Sequence, residues 1–340
     1  MSDSALITTR KLREMVRLRP AMYIGSTDEA GLDHLIIELF DNSVDQFLAG
    51  EASNVNVEIT GNSVRVTDDG PGLPFDMQHD ALGESLATQY LTNFHNSPTA
   101  DGHVPHIHFD AVGCGLFVVN YLSSLMTCRS WRGTNLWEQQ FVQGEPTSSP
   151  RIVATGTGRG TEIEFTPDAS IFKDTMLSAE RLRMQLFVAA HLIPGIVVGL
   201  QNERFQSWQG LSGLLRVTSA FSQIPGPVFS MDRNTKKFRI IAAAKGLAKE
   251  KTVAHFSWAN GFYTVQGGTH ATAFANALGS VRWKPAIAMI HVIMNEPQFS
   301  GTSKTKLCVE ELKSAMAALI REQLKPWCQN NKVGRYAGDH

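Results

Sequence analysis

The chain is poor in the features that mark several large protein classes. Its four cysteines, Cys114, Cys128, Cys308 and Cys328, are scattered through 340 residues with no CxxC pair. That spacing excludes a zinc ribbon and a disulfide framework and suits reduced thiols in a cytoplasm. No apolar run reaches the roughly 20 residues of a membrane-spanning helix. The opening MSDSALITTRKLREMVRLRP is charged throughout and lacks the apolar segment of a signal peptide. The expectation is a cytoplasmic protein with no membrane partner. Charge of one sign is equally scarce: 31 Lys and Arg against 32 Asp and Glu leave a net charge of -1. A surface built to neutralise phosphates would be strongly basic, so direct, strong nucleic-acid binding is not expected. Internal repeats and low-complexity tracts are also missing. What remains is an ordinary globular composition, 43% hydrophobic and 19% charged, in a chain long enough for two domains with a substantial core each.

Along the chain, IIELFDNSVDQFLAG has the apolar content of a core helix. At 100° per residue, Glu38, Asn42 and Asp45 fall on one face of it. NVNVEITGNSVRVTDDGPG follows, two alternating runs about Gly61-Asn62-Ser63, and reads as a β-hairpin with one buried face. NFHNSPTADGHVPHIHFDAV, from Asn93 to Val112, is polar and aperiodic, with four histidines; it reads as a lid-length loop. GCGLFVVNYLSSLM then opens a helix behind a glycine pair. Hairpin segments follow through TCRSWRGTNLWEQQF and GRGTEIEFTP, and the amphipathic LSAERLRMQLFVAAHLIPG stops at Pro194-Gly195. A second region near Gln223-Pro227 begins a run of strands FRIIAAA, TVAHFSWANGF and AIAMIHVIM, with a short helix after GGTH and a long one from Val309 towards Trp327. This order fits an α/β sandwich, a mixed sheet with helices on one face, and then a smaller α/β domain.

Four segments have chemical potential. On the helix face, Glu38 could polarise a water and the Asn42 amide oxygen could hold a hard cation, although a solvated acidic stripe has the same pattern. In TDDGPGL, Asp68 ends a strand beside glycines that admit a flat ligand, and its carboxylate could accept from an exocyclic amine; a plain Asp-Gly turn reads the same way. The glycines of GCG stand at a helix start, where free N–H groups favour phosphate. SGTSKTKL offers lysines after a small-residue loop, able to reach a phosphate or simply to face solvent.

Their joint order resembles the Bergerat-fold ATPases, the group of gyrase B, MutL proteins, heat-shock chaperones and sensor histidine kinases. Within it, the match is to the N-terminal half of gyrase B and its topoisomerase IV counterpart, from Arg19 to about Leu319. RPAMYIGSTDEAGLDHLIIELFDNSVDQFLAG resembles the opening motif of that subfamily, WANGFYTVQGGTHATAF its second-domain signature and NEPQFSGTSKTKL its γ-phosphate loop. The resemblance implies an ATP-binding domain over residues 1–220 and a transducer-like domain over residues 221–340. It implies ATP with Mg²⁺ held by Asn42, Glu38 as general base, and Asp68 on the adenine amine. Leu39, Gly72, Leu73, Thr161 and Ile163 would line the base pocket, Gly113 and Gly115 would meet the phosphates, and Lys304 would reach the γ-phosphate. Closure on ATP and a homodimer are implied as well.

The chain departs from that pattern at several positions. Phe109, Asp110 and Val112 stand where the family has a further glycine pair and a histidine, and a carboxylate near a triphosphate is unfavourable. The lid has His103, His106 and His108, read as solvated, in place of a lysine and a tyrosine. Thr302-Ser303-Lys304 replaces Gln-Thr-Lys, and Gln46 and Pro71 replace an acid–arginine pair. The sequence ends at His340, before the metal-binding cleavage domain of gyrase B. The first expectation is therefore a gyrase B-like ATPase module, with a topoisomerase cleavage subunit as a possible partner. Two alternatives are an ATP-dependent enzyme acting on a small-molecule substrate and a nucleotide switch with little turnover.

Overall fold

The computed structural model describes residues 3–78, 83–94, 104–109, 115–173, 176–247, 254–301 and 303–336. The chain divides into two compact units, residues 1–187 with 196–206, and residues 188–195 with 207–340.

The first unit opens with α1 (Asp3–Leu18), α2 (Ala21–Ile24) and α3 (Glu29–Leu48). Asp28 caps α3, its side chain accepting the Ala30 N–H at 3.0 Å, which satisfies one of the free donors of the first turn. Leu32, Leu35, Ile36, Phe40 and Val44 are fully buried along α3, and Glu38, Asp41 and Asp45 are buried with them. The expected hairpin is β1 (Asn54–Thr60) and β2 (Ser63–Asp68), antiparallel with Thr60 opposite Ser63. After α4 (Leu86–Thr92) comes α5 (Leu116–Tyr121), which is shorter than the GCGLFVVNYLSSLM reading. The Ser123 hydroxyl bonds back to Val119 O at 2.6 Å, and the chain turns at once into β3 (Ser123–Arg132). Then follow β4 (Asn135–Val142), β5 (Glu145–Pro146), β6 (Arg151–Thr155), β7 (Thr161–Pro167), α6 (Ala179–Leu192), β8 (Val197–Leu200) and β9 (Glu203–Gln206). The strands form one nine-stranded sheet in the order β5-β4-β3-β7-β2-β1-β8-β9, with β6 also on β4. Only β1 and β8 pair in parallel among these, so the sheet is mixed as expected. α3 packs on β1, β2 and α5, and α5 on β3.

In the second unit, α7 (Leu211–Phe221) and β10 (Val228–Asn234) precede β11 (Arg239–Lys245), β12 (Ala254–Ala259), β13 (Phe262–Tyr263), α8 (Thr269–Ser280), β14 (Ile287–Ile293) and α9 (Lys313–Asn330). The sheet order is β10-β11-β14-β12-β13. β11 and β14 are almost wholly buried, and Trp283 stacks on Trp327 at 5.0 Å to close the core against α9. α7 packs on β11 and β14, which places it in this unit, whereas a boundary at residue 220 would leave most of it in the first. Among the described residues no helix is long and apolar enough to cross a membrane.

Candidate nucleotide site

The first unit carries a cleft of about 500 Å³ between α3, the turn after β2, and β7. Leu39, Asn42, Ser43, Gln46, Val66, Asp68, Pro71, Gly72, Leu73, Leu116, Thr161 and Ile163 line it. Seven residues named from the sequence, Leu39, Asn42, Asp68, Gly72, Leu73, Thr161 and Ile163, thus meet in one cavity. Most of its wall is aliphatic, which suits a flat aromatic ligand with one polar edge.

Asp68 supplies that edge. It ends β2 opposite Thr161, and its Oδ1 accepts the Gly70 N–H at 2.8 Å while its Oδ2 accepts the Ser43 hydroxyl at 3.1 Å. Burial pushes its carboxyl above the ordinary range, and the Gly70 and Ser43 bonds pull it back. Gly72 closes the turn at φ +78°, and a Cβ there would lie 2.2 Å from Trp131 O. Only glycine permits this approach of the turn to β3.

At the middle of α3, Glu38 Oε2 accepts the Gly115 N–H at 2.7 Å. His34, one turn earlier, places Nε2 at 3.4 Å from Glu38 Oε1. The sequence reading does not single out His34, although its i, i+4 spacing from Glu38 is a readable signal. Asn42 donates Nδ2–H to Glu38 O at 3.3 Å, an arrangement that leaves the amide oxygen to act as an acceptor or hard-cation ligand. One oxygen of the buried Asp41, Oδ1, has no hydrogen-bond donor among the described residues. Burial first, and then the Glu38 and Asp45 charges, push the Asp41 carboxyl well above its ordinary value.

Two of the lid histidines, His106 and His108, depart from the solvated reading. Asp45 Oδ2 lies 2.7 Å from His106 Nδ1, and Asp45 Oδ1 accepts the Ile107 N–H at 2.9 Å. Asp41 Oδ2 accepts the Phe109 N–H at 3.2 Å and lies 3.8 Å from His108 Nδ1. Carboxylates buried on a helix require donors, and residues 106–109 provide them. Glu38, Asp41 and His108 each place a potential metal-ligating atom within 4.8 Å of the other two. Gly113, Thr302, Asp110, Val112 and His103 lie outside the described residues.

Lys304 belongs to the second unit, on the loop between β14 and α9, with φ +52° and its Nζ 4.2 Å over the Phe262 ring. The loop is tied to the GGT turn: Gly268 and Leu307 form a β-bridge, and Gln266 N–H donates to Thr305 O at 3.0 Å. A Cβ on Gly268 would lie 2.3 Å from Leu307 O. The two sequence motifs of this region are therefore one structure.

Residues 27–171 match the family of histidine kinase-, DNA gyrase B- and HSP90-like ATPases. That segment is a domain of this family. It is 29% identical to the DNA gyrase B protein of Clostridium acetobutylicum over 99% of its own length and 58% of the relative's. With the DNA gyrase B protein of Thermotoga maritima it shares 30% identity over 92% of its length and 54% of the relative's. The chain thus spans little more than half of these relatives. Its fold superposes on the 43K ATPase domain of Thermus thermophilus gyrase B in complex with an aminocoumarin, with a TM-score of 0.78 and 25% identity over 96% of this chain and 92% of that one. The topoisomerase IV ATP-binding domain of Francisella tularensis gives a TM-score of 0.77 at 25% identity, over 93% and 91% of the two chains. The fold class read from the sequence, a Bergerat sandwich and a smaller α/β domain, is the one found. The described cysteines, Cys128, Cys308 and Cys328, are free thiols.

Proposed function

We propose that this gyrase B-like domain binds ATP in the α3 cleft and hydrolyses it to ADP and phosphate. The observation that carries this reading is the Gly115 N–H held on Glu38, in the same unit as a cleft floored by Asp68. Asp68 accepts from the adenine amine, and Leu39, Leu73 and Ile163 cover the ring. The phosphates take the N–H groups of the glycine segment, Gly113 and Gly115. That exchange releases the Glu38 carboxylate, which then takes a proton from the attacking water as the water oxygen bonds to the γ-phosphorus and the bond from that phosphorus to the bridging oxygen breaks, releasing ADP. His34 on the preceding turn holds the Glu38 carboxylate in orientation. Asn42 would hold Mg²⁺ through its amide oxygen, and the ion would supply positive charge to the phosphate oxygens. Lys304 donates to the γ-phosphate. ADP offers it no partner, so ATP and not ADP favours closure of the second domain on the first. A homodimer in the cytoplasm completes the reading.

The direct test is Glu38→Ala. Binding of ATP measured by calorimetry should persist while phosphate release is abolished, because the base acts on the nucleophile and not on the bound ground state. Wild-type turnover in that variant would remove Glu38 from its role.

A further inference from the structure

Within the second unit, the placement of Lys304 has a cause that neither sequence motif contains alone. Phe262 lies on β13, before the turn that leads to Gly267 and Gly268, and is 4% exposed. Its ring is fixed by an edge-to-face contact with Phe299 at 5.5 Å and 78°. Phe299 in turn forms a β-bridge with Leu307, so the ring and the lysine loop share one frame. The Lys304 ammonium lies 4.2 Å above the centroid of that ring. A cation over an aromatic face at this distance is attracted by the ring quadrupole, more strongly where water is partly excluded. A lysine on a loop otherwise loses much rotamer freedom on engaging an anion. Here the left-handed backbone at Lys304 sets the start of the side chain, and the ring sets its end.

We propose that Phe262 is a positioning residue for Lys304, holding its ammonium in place for a terminal phosphate. The inference rests on the reading of Lys304 as the γ-phosphate contact. An ammonium has three N–H groups, so it can keep the ring beneath it and still donate to a phosphate oxygen. The ring therefore lowers the ordering needed when a triphosphate binds and contributes nothing to a diphosphate.

The test replaces Phe262 with mono-, di- and trifluorophenylalanine, which drain the ring face of charge with little change of shape. Affinity for a non-hydrolysable ATP analogue should fall with each fluorine, by roughly three- to thirtyfold in all, while ADP affinity stays level. The same series in a Lys304→Met background should be flat. In nucleotide-free protein, the ε-methylene protons of Lys304 should show an upfield ring-current shift, which Phe262→Leu abolishes. If Lys304→Met leaves the preference for the analogue over ADP unchanged, the Lys304 reading and this inference fall together. If Lys304→Met removes that preference but the fluorine series is flat or rises, the role of Phe262 alone is overturned.

Discussion

Replacing Asp68 separates recognition of the base from maintenance of the fold, because its two carboxylate oxygens have different occupations. Oδ1 holds the Gly70 N–H at 2.8 Å, and Oδ2 takes the Ser43 hydroxyl at 3.1 Å beside the cleft. Asp68→Ala removes both. Losing a charged acceptor from the adenine amine costs about 1.5–3 kcal/mol, or roughly ten- to hundredfold in affinity. The orphaned Gly70 N–H adds about 1 kcal/mol or more against folding, which in a unit the size of the first one lowers its melting temperature by about 2–4 °C per kcal/mol. Asp68→Asn should behave differently. Its single oxygen must stay on the Gly70 N–H, and its NH₂ then meets the adenine amine donor to donor, while the Ser43 hydroxyl can rotate to accept. The asparagine variant should melt close to wild type and yet bind ATP as weakly as the alanine variant. Calorimetry with a non-hydrolysable analogue, paired with thermal melting, reads both effects. GTP presents a carbonyl oxygen in place of the amine, facing the carboxylate, and should compete poorly. Wild-type affinity in a well-folded Asp68→Asn protein, or equal competition by ATP and GTP, would refute the assignment of Asp68 to the adenine amine.

Gly72→Ala should impair nucleotide binding and destabilise the first unit by about 1–3 kcal/mol, since the new Cβ meets Trp131 O at 2.2 Å and φ +78° disfavours alanine; unchanged melting and affinity would show that the turn can yield. In the second unit, His291 is fully buried, with Gly261 N–H donating to Nε2 at 3.1 Å and Nδ1 facing Leu192 O at 3.1 Å, an arrangement that suits only the neutral ring. Burial lowers His291 and His270 from 6.5 to about 3. Below the unfolded value the unfolded chain binds more protons than the native one, so stability should fall from pH 6.5 towards 3, by about 1.4 kcal/mol per pH unit for each histidine; a flat denaturation profile over pH 6–4 would contradict this. Small-angle scattering should show compaction with an ATP analogue, none with ADP, and none with Lys304→Ala; identical compaction with both nucleotides would mean that the second domain does not sense the γ-phosphate.

Much of the candidate site is legible in the sequence because its parts are local. Glu38 and Asn42 are one helical turn apart, so their relation follows from the 3.6-residue period once the helix is read. The turn from Asp68 to Leu73 needs only the end of a strand and two glycines, and the β1–β2 hairpin follows from alternation about a short polar turn. Other elements left weak local signals. All residues of β6 are exposed, so it has no buried face to reveal its period, and β10 alternates only over its first half, where Phe229 and Met231 are buried. The GxG segment indicated a helix start but not its length, which the turn at Ser123 decides.

The sequence by itself determined which side chains are candidates for phosphate and base contacts, since those motifs are short and their joint order resembles one family. Only the tertiary structure decided what each of them touches. The Gly115 N–H on Glu38, residues 106–109 on Asp41 and Asp45, Gly268 against Leu307 and the Phe262 ring under Lys304 all join residues far apart in the chain. The physical reason is the same in each case. A buried carboxylate needs donors and a close backbone approach needs a missing Cβ, but which donor or strand arrives there depends on the path of the whole chain through the core.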